Sequence, residues 1–212
     1  FFVQTVRRVD NLFVLGDPTN NQPPREDSLK ARAERAGSSL RACISDALLA
    51  DEGRAILYAP STGSIEKALD GAARAFRSPR TVVGLGDGGA HYGLICDAAF
   101  PTYVLTRWLK PDEEAGLDLS EAVRALSRTP ALSVGLDDRG LIAPGLKADL
   151  NVIDMARLRL NAPRIAHDLP AGGKRLTQRA TGYRATILSG TITYRDGEAT
   201  GELPGRLIRK AA

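Results

Sequence analysis

The chain has few of the residues from which catalytic and structural sites are most often built. Its 212 residues include 2 His, 2 Cys, 1 Met and 1 Trp, and aromatic residues make up 5%. Two cysteines cannot form a disulfide framework, so we expect two reduced thiols. Cys43 lies on the apolar stripe of a predicted helix and Cys96 in an apolar stretch, so we expect both to pack rather than to bind a ligand.

Long apolar runs are also absent. No run of about 18 apolar residues occurs, and the apolar run at the N-terminus is too short for a signal peptide. We therefore expect a cytoplasmic protein without a membrane partner. The chain has no initiator methionine, since its single Met is Met155, and this suggests a fragment or a processed product.

The charge balance raises the possibility of nucleic-acid binding. The net charge is +4 and the pI is about 9.3, values that are typical of some nucleic-acid-binding domains. The 29 basic residues are mostly Arg, however, and they are spread along the chain among 25 acidic residues. No basic run alternates with aromatic residues, so we expect no nucleic-acid partner.

Hydrophobic periodicity predicts an α/β region first. A helical stripe ends at Gly53 and consists of Leu40, Cys43, Ile44, Ala47 and Leu48. Short strands are predicted at 11–16, 55–59 and 81–86, with a helix from Ser64 to Phe76 between the last two. A strand, a helix and a second strand in this order form a crossover unit, so we expect the last two strands to be parallel.

The next segment predicts two helices. Asp118 and Glu121 have the spacing of a capping box, and the expected buried face of the helix that follows is Leu119, Ala122, Val123 and Leu126. Thr129-Pro130 is typical of a helix start, and Gly135 would end that short helix.

After Gly140 the pattern becomes that of a β region. ADLNVID predicts a strand, RATIL-SG-TITYRDGE a hairpin and RLIRK a last strand, while 161–176 reads as a loop-rich stretch. We predict two domains, at 1–144 and 145–212.

The stretch TVVGLGDGGAH, at 81–91, has two functional interpretations. Gly84-x-Gly86-x-x-Gly89 matches the dinucleotide-binding fingerprint, but no helical stripe follows, and a carboxylate inside a phosphate loop would repel the ligand. In the other interpretation, Asp87 stands at the carboxyl end of a strand, where working residues of parallel α/β folds lie. It can then bind a divalent metal or accept a proton from an attacking water, and small neighbours let a ligand approach. A plain Asp87-Gly88 turn is the structural alternative.

Ligands for a complete metal site are missing from the sequence pattern. The histidines are His91 and His167, and H-x-H, H-E-x-x-H and C-x-x-C motifs do not occur. His91, four residues after Asp87, is a candidate site-lining residue or a loop histidine with local hydrogen bonds. His167 is expected to be structural. No G-x-S-x-G motif suggests a serine nucleophile.

Three long segments resemble one enzyme family. They are TVVGLGDGGAHYGLICDAAFPTYVLTRWL, DDRGLIAPGLKADLNVID and the stretch from DLPAGGKRL to GRLIRK. They look like the carboxyl part of the N-acyl-D-amino-acid deacylases (D-aminoacylases), a branch of the metal-dependent amidohydrolase superfamily. The resemblance implies the last strands and helices of a (β/α)8 TIM-like barrel, with a small C-terminal β-sandwich.

The resemblance also implies a site. Asp87 would contact one of one or two zinc ions, act as general base on the attacking water and return the proton to the leaving nitrogen. Gly88, Gly89 and His91 would line the site. Most metal ligands would lie upstream of Phe1, so the isolated chain would be inactive. Many relatives have Ser before this Asp, where this chain has Gly86, which suggests that a local hydrogen bond is missing.

Partners follow from the same comparison. We expect a small N-acyl amino acid as substrate, and either the missing N-terminal portion or a second copy of the chain to cover exposed strand edges. Two alternatives stay open: a non-catalytic β-rich assembly module, and a cyclic-amide or imide hydrolase of the same superfamily.

Overall fold

The structure is a computed structural model that describes residues 11–60, 71–72, 74–84, 86, 88, 91–109 and 116–208. Backbone contacts divide the chain into two compact units, Phe1–Gly71 and Ala72–Ala212. The predicted domain boundary near 144/145 stays a prediction. Across the described ranges, no helix is long and apolar enough to cross a membrane.

The first unit packs two helices beside a two-stranded ribbon. Strand β1 (Phe13–Val14) pairs antiparallel with β2 (Leu57–Tyr58). Helix α1 (Leu29–Ala36) begins after Ser28, whose hydroxyl accepts a hydrogen bond from the Ala31 N–H at 3.2 Å. The core of this unit is formed by Phe13, Leu29 and Ala33, which are all buried.

Helix α2 (Leu40–Gly53) confirms the helix predicted to end at Gly53. The four predicted stripe residues from Leu40 to Ala47 are half-buried, while Leu48 is exposed. Near its end the helix is kinked, because Asp51 and Glu52 adopt left-handed backbone angles. Arg54 bonds to both carboxylates, Nη2 to Asp51 at 2.9 Å and Nη1 to Glu52 at 2.6 Å, and so supports this kink.

The predicted crossover unit is only partly present. Residues 57–58 form a strand, and 71–72 and 74–77 are helical, as expected. The strand at 81–86 is wrong for its described residues, since 81–84 and 86 belong to no strand. Gly84 and Gly86 have no side chain to bury, which disfavours a strand in this segment. The predicted parallel pairing of 81–86 with β2 is not observed for the described residues, and β2 pairs antiparallel with β1.

Helix α3 (Phe100–Arg107) is the centre of the second unit. Thr102, Val104, Leu105 and the adjoining Trp108 are buried, so this helix contributes to the core of the second unit. The Trp108 ring lies 5.0 Å from the ring of Phe76, and the Leu117 N–H donates to the Trp108 carbonyl at 2.7 Å.

Helices α4 (Leu119–Leu126) and α5 (Arg128–Ser133) follow directly. The capping box is confirmed: the Asp118 carboxylate accepts from the Glu121 N–H at 2.8 Å, and Glu121 accepts from the Asp118 N–H at 3.0 Å. The predicted buried face is correct only in part, since Ala122 is fully buried whereas Leu119 and Val123 are 48% and 46% exposed.

The short helix α5 exists, but its predicted start is wrong. It begins at Arg128 rather than after Thr129, and Pro130 is its third residue. This position is still in the first turn, where a proline removes no helical hydrogen bond. Gly135, at φ +75°, follows the helix end as predicted.

The rest of the chain is mainly antiparallel β structure. Strands β8 (Tyr183–Leu188) and β9 (Thr191–Arg195) form the predicted hairpin, whose turn places Ser189 and Gly190 at φ +50° and +82°, as a two-residue hairpin turn requires. Strand β3 (Leu150–Ile153) and β10 (Glu198–Ala199) complete a four-stranded sheet in the order β10-β9-β8-β3.

Further strands form pairs outside that sheet. Strand β4 (Arg159–Leu160) pairs with β7 (Ala180–Thr181), and β5 (Arg164–Leu169) pairs with β6 (Gly173–Thr177). The loop predicted at 161–176 is therefore wrong, because its charged strands bond across the hairpin: Arg175 holds Asp168 with two hydrogen bonds of 2.7 Å. The side-chain hydrogen bond from Arg175 keeps the pKa of Asp168 below its usual range.

The remaining fold predictions differ in outcome. The last strand at 206–210 is wrong for 206–208, which belong to no strand; Pro204 and Gly205 just before them disfavour a strand. The chain is a mixed α/β structure, and its described residues form no closed barrel. The β-sandwich stays a prediction.

One hydrogen bond joins helix α3 to the four-stranded sheet. The hydroxyls of Thr102 and Tyr183 lie 2.9 Å apart, with Thr102 buried. We expect Thr102→Val to lower the free energy of unfolding by about 1 kcal/mol, because a partly buried hydroxyl of Tyr183 then loses its partner. Urea denaturation measures this change.

Thr106→Val is the matched control on the same helix. Thr106 is exposed, and its hydroxyl donates to the Thr102 and Tyr103 carbonyls of its own helix, so we expect the free energy of unfolding to fall by less than about 0.5 kcal/mol. A double-mutant cycle with Tyr183→Phe should show coupling between 102 and 183, whereas strictly additive effects would contradict the assigned bond.

Candidate active-site loop

The predicted site residues are described only in part. Asp87 and Gly89 lie outside the described residues, so their roles as catalytic, metal-contacting or site-lining residues stay predictions. Gly88 and His91 are described, together with Gly86. These three described residues of the candidate loop, 86–91, belong to the second unit.

Gly86 and Gly88 lie against the turn that precedes helix α3. That turn, Asp97–Ala99, is a single turn of 3-10 helix. A Cβ at Gly88 would lie 2.8 Å from the Ala98 Cβ. A Cβ at Gly86 would collide with the Asp97 carbonyl oxygen and lie 2.7 Å from the Phe100 ring.

The two glycines also bond to each other. The Gly88 N–H donates to the Gly86 carbonyl at 2.9 Å, between residues two apart in the chain, the spacing of a γ-turn. The carboxyl end of a barrel strand was the expected setting for Asp87. Gly86 and Gly88 stand instead in a loop supported by the Asp97–Ala99 turn, because 81–84 and 86 are not in a strand.

His91 begins a second turn of the same segment. It is exposed and has φ +49°, and its carbonyl accepts hydrogen bonds from the N–H groups of Leu94 at 2.7 Å and Ile95 at 3.1 Å. The next carbonyl, of Tyr92, accepts from the Leu176 N–H of strand β6 at 2.7 Å. The backbone after His91 is thus fixed to the β5–β6 hairpin, while the site-lining role of its imidazole stays a prediction.

The described residues do not by themselves make up a metal site. No group of three or more His, Cys, Asp and Glu side chains with suitable positions occurs within the described ranges, whereas zinc sites need three or four such ligands. His167 is exposed on strand β5. The described residues would therefore supply at most part of a zinc centre.

A cavity of about 500 Å³ in the second unit lies among other residues. It is lined by Arg139, Lys147, Leu188, Ser189, Leu203, Pro204, Gly205, Arg206 and Ile208, so it includes none of the predicted site residues. Its Arg139 is held at 2.8 Å by Asp138 and at 3.3 Å by Asp149. Since Leu203 in its lining is 93% exposed, this cavity is an open surface groove.

The sequence did not reveal the support beneath the loop. Asp97, Ala98 and Ala99 carry no pattern that predicts contact with residues ten positions earlier. The one available signal was the small size of Ala98 and Ala99, which permits close approach of another backbone. That signal is weak, because alanines are equally common in helices that no loop approaches.

Cys96 lies directly before this support. Its side chain is half-buried, and burial, followed by the charge of Asp97, raises the pKa of its thiol above the ordinary value. Since the thiolate is the form that binds metals and attacks reagents, this environment agrees with the predicted packing role of Cys96.

We expect Cys96 to react slowly with a thiol reagent such as DTNB. The reaction rate should still be rising above pH 9, because the thiolate fraction grows as pH passes a raised pKa. A Cys43→Ser variant leaves Cys96 as the one reporting thiol. A rate that levels off below pH 8 would contradict the expectation.

Comparison with known proteins places the chain in a family. A model of the amidohydrolase family matches residues 45–194, more than two thirds of the chain, and this range includes the candidate loop. Adenine deaminase 1 of Rhizobium meliloti (strain 1021) is 33% identical over 108 residues, which cover 44% of this chain and 19% of the relative. The chain thus spans about a fifth of the length of that curated relative.

No solved structure matches the chain. The match to adenine deaminase 1 agrees with the superfamily predicted from the three resembling segments, and it does not single out the D-aminoacylase branch. The family model covers helices α3, α4 and α5 and most of the β region in one continuous match. The chain belongs to the amidohydrolase family.

Proposed function

We propose that the protein to which these residues belong is a hydrolase that cleaves the amide bond of N-acyl-D-amino acids or related linear amides. The observation that carries the proposal is the family match over 45–194, which encloses the loop around Asp87. The substrate class rests on the resemblance of three long segments to the N-acyl-D-amino-acid deacylases.

The chain's own contribution is a carboxylate that moves a proton. Asp87 accepts a proton from the attacking water as the water oxygen bonds to the amide carbon. It then gives that proton to the nitrogen as the carbon–nitrogen bond breaks, so that an amine and a carboxylate are released. A carboxylate that moves a proton in this way serves as general base and then as general acid.

Members of this family are typically metal-dependent. A metal, with zinc as the proposed ion, supplies electrophilic activation of the amide when bound. The described residues hold no complete ligand set, so most of the ligands are proposed to come from other parts of the protein.

A second candidate is the hydrolytic deamination of a purine base. The observation that favours it is the 33% identity to adenine deaminase 1 over 108 residues. The two candidates differ in what they release, since an acylated amino acid yields an acid and an amino acid, and deamination yields ammonia.

Asp87→Asn tests the common step. In the full-length protein supplied with zinc, we expect kcat to fall by about 100-fold to 10,000-fold, the range typical of a lost general base. The assays are amino acid release from N-acetyl-D- and N-acetyl-L-amino acids, and ammonia release from adenine. Metal analysis of the same sample measures the ion content.

Asp46→Asn is the matched control, because Asp46 is an exposed carboxylate on helix α2. It should leave kcat unchanged. Full activity in Asp87→Asn would refute the role of Asp87, and release of ammonia from adenine without amide cleavage would select the second candidate. No turnover of either substrate would favour a non-catalytic role in assembly.

A further inference from the structure

The backbone on both sides of residue 87 lies closer to its support than any side chain would allow. Gly86 has no room for a Cβ, because the Asp97 carbonyl oxygen and carbon and the Phe100 ring occupy the space. Gly88 has none because Ala98 lies there, with its Cβ at 2.8 Å, its Cα at 3.2 Å and its N at 3.3 Å from the added atom. Neither glycine has a φ in the left-handed region. Glycine is therefore required at these positions by the lack of room for a side chain and not by the backbone angles.

This crowding is specific to these two positions among the described glycines of the segment. A Cβ added at Gly84 would meet only the Val82 carbonyl oxygen at 4.0 Å, and one added at Gly93 would meet nothing within 4 Å. Among the described glycines of the segment, the close approach therefore occurs at the residues immediately before and after Asp87.

The support is itself firmly held. The Asp97–Ala99 turn continues into helix α3, whose Thr102, Val104 and Leu105 are buried and whose Thr102 bonds to Tyr183 at 2.9 Å. Close-packed interiors transmit a displacement rather than absorb it. A loop in van der Waals contact with this turn is thus positioned by the core of the second unit.

We propose that Gly86 and Gly88 are positioning residues for the Asp87 carboxylate. Their contacts with the Asp97–Ala99 turn, and the hydrogen bond between them, fix the backbone immediately before and after Asp87. The proposal rests on the proposed function, in which Asp87 is the general base. The two glycines then determine how accurately the carboxylate of Asp87 is placed relative to the attacking water. A misplacement of about 1 Å costs about 100-fold in rate.

The two glycines differ in what blocks them, and this difference provides the test. The nearest atom to Gly88 is a methyl group, which Ala98→Gly removes. At Gly86 the closest obstacle is a backbone carbonyl, which no substitution removes. In the full-length protein, we expect Gly88→Ala to lower kcat by about 10-fold to 100-fold with little change in KM, and Ala98→Gly to restore most of it.

Gly86→Ala should lower kcat at least as much and should not be rescued by Ala98→Gly. Gly93→Ala, with open space around its new methyl, is the matched control and should retain full kcat. Equal kcat values for the Gly88→Ala and Gly93→Ala variants would overturn the proposal. So would a rescue of Gly86→Ala by Ala98→Gly, because a general loosening of the turn would then explain both results.

Cys96 supplies a readout that does not depend on turnover. It adjoins Asp97, so a loop pushed off the turn should raise its rate of alkylation in Gly88→Ala, and Ala98→Gly should reverse that rise. If the parent protein cleaves neither substrate, the proposed function is refuted. An unchanged Cys96 rate in Gly88→Ala would then overturn the contact as well, whereas a raised and reversible rate would support it.

Discussion

The second unit depends on one interaction, the burial of a single face of helix α3, Phe100–Arg107. That face contributes Val104 and Leu105 to the core, and the Trp108 ring at its end packs at a tilt of 58° against the Phe76 ring. Burial of side chains of this size stabilises a domain by about 1.5 to 3 kcal/mol each. A buried hydroxyl on the same face, that of Thr102, needs a partner and finds it in Tyr183. The helix is thereby joined to the sheet, and its N-terminal turn becomes a fixed surface on which the candidate loop lies.

Local sequence signals predicted the elements that form by local interactions. The capping box at Asp118 and Glu121 and the Ser189-Gly190 hairpin turn are both present, because each is determined by residues close together in the chain. Amphipathic periodicity placed helix α2 correctly for the same reason. It failed for the exposed Leu119 and Val123, since a periodic stripe shows which face is apolar but not what covers it.

Elements that depend on distant partners were not predictable in this way. The segment 81–86 is apolar enough for a strand, yet a strand forms only where another strand bonds to it, and Gly86 lies instead on the turn before helix α3. The opposite error occurred at β5 and β6: the stretch was predicted to be loop-rich, although the two strands are close in the chain and the bidentate Arg175–Asp168 pair joins them. For the candidate site, sequence resemblance selected Asp87 and its neighbours, but the role of Ala98 as support required coordinates.

Gly86 illustrates how packing changes the meaning of a sequence difference. As a departure from relatives with Ser at this position, it suggested a missing hydrogen bond. In this chain a side chain there would collide with the Asp97 carbonyl, so glycine is a requirement of the loop's contact with its support. Under the role proposed for Asp87, the same contact serves either candidate reaction, because amide cleavage and purine deamination both need one base that takes a proton from water and delivers it to a leaving nitrogen. The contact of Gly86 and Gly88 with the Asp97–Ala99 turn does not distinguish the two reactions, so discrimination between the substrates must arise from residues that contact the acyl group or the purine ring.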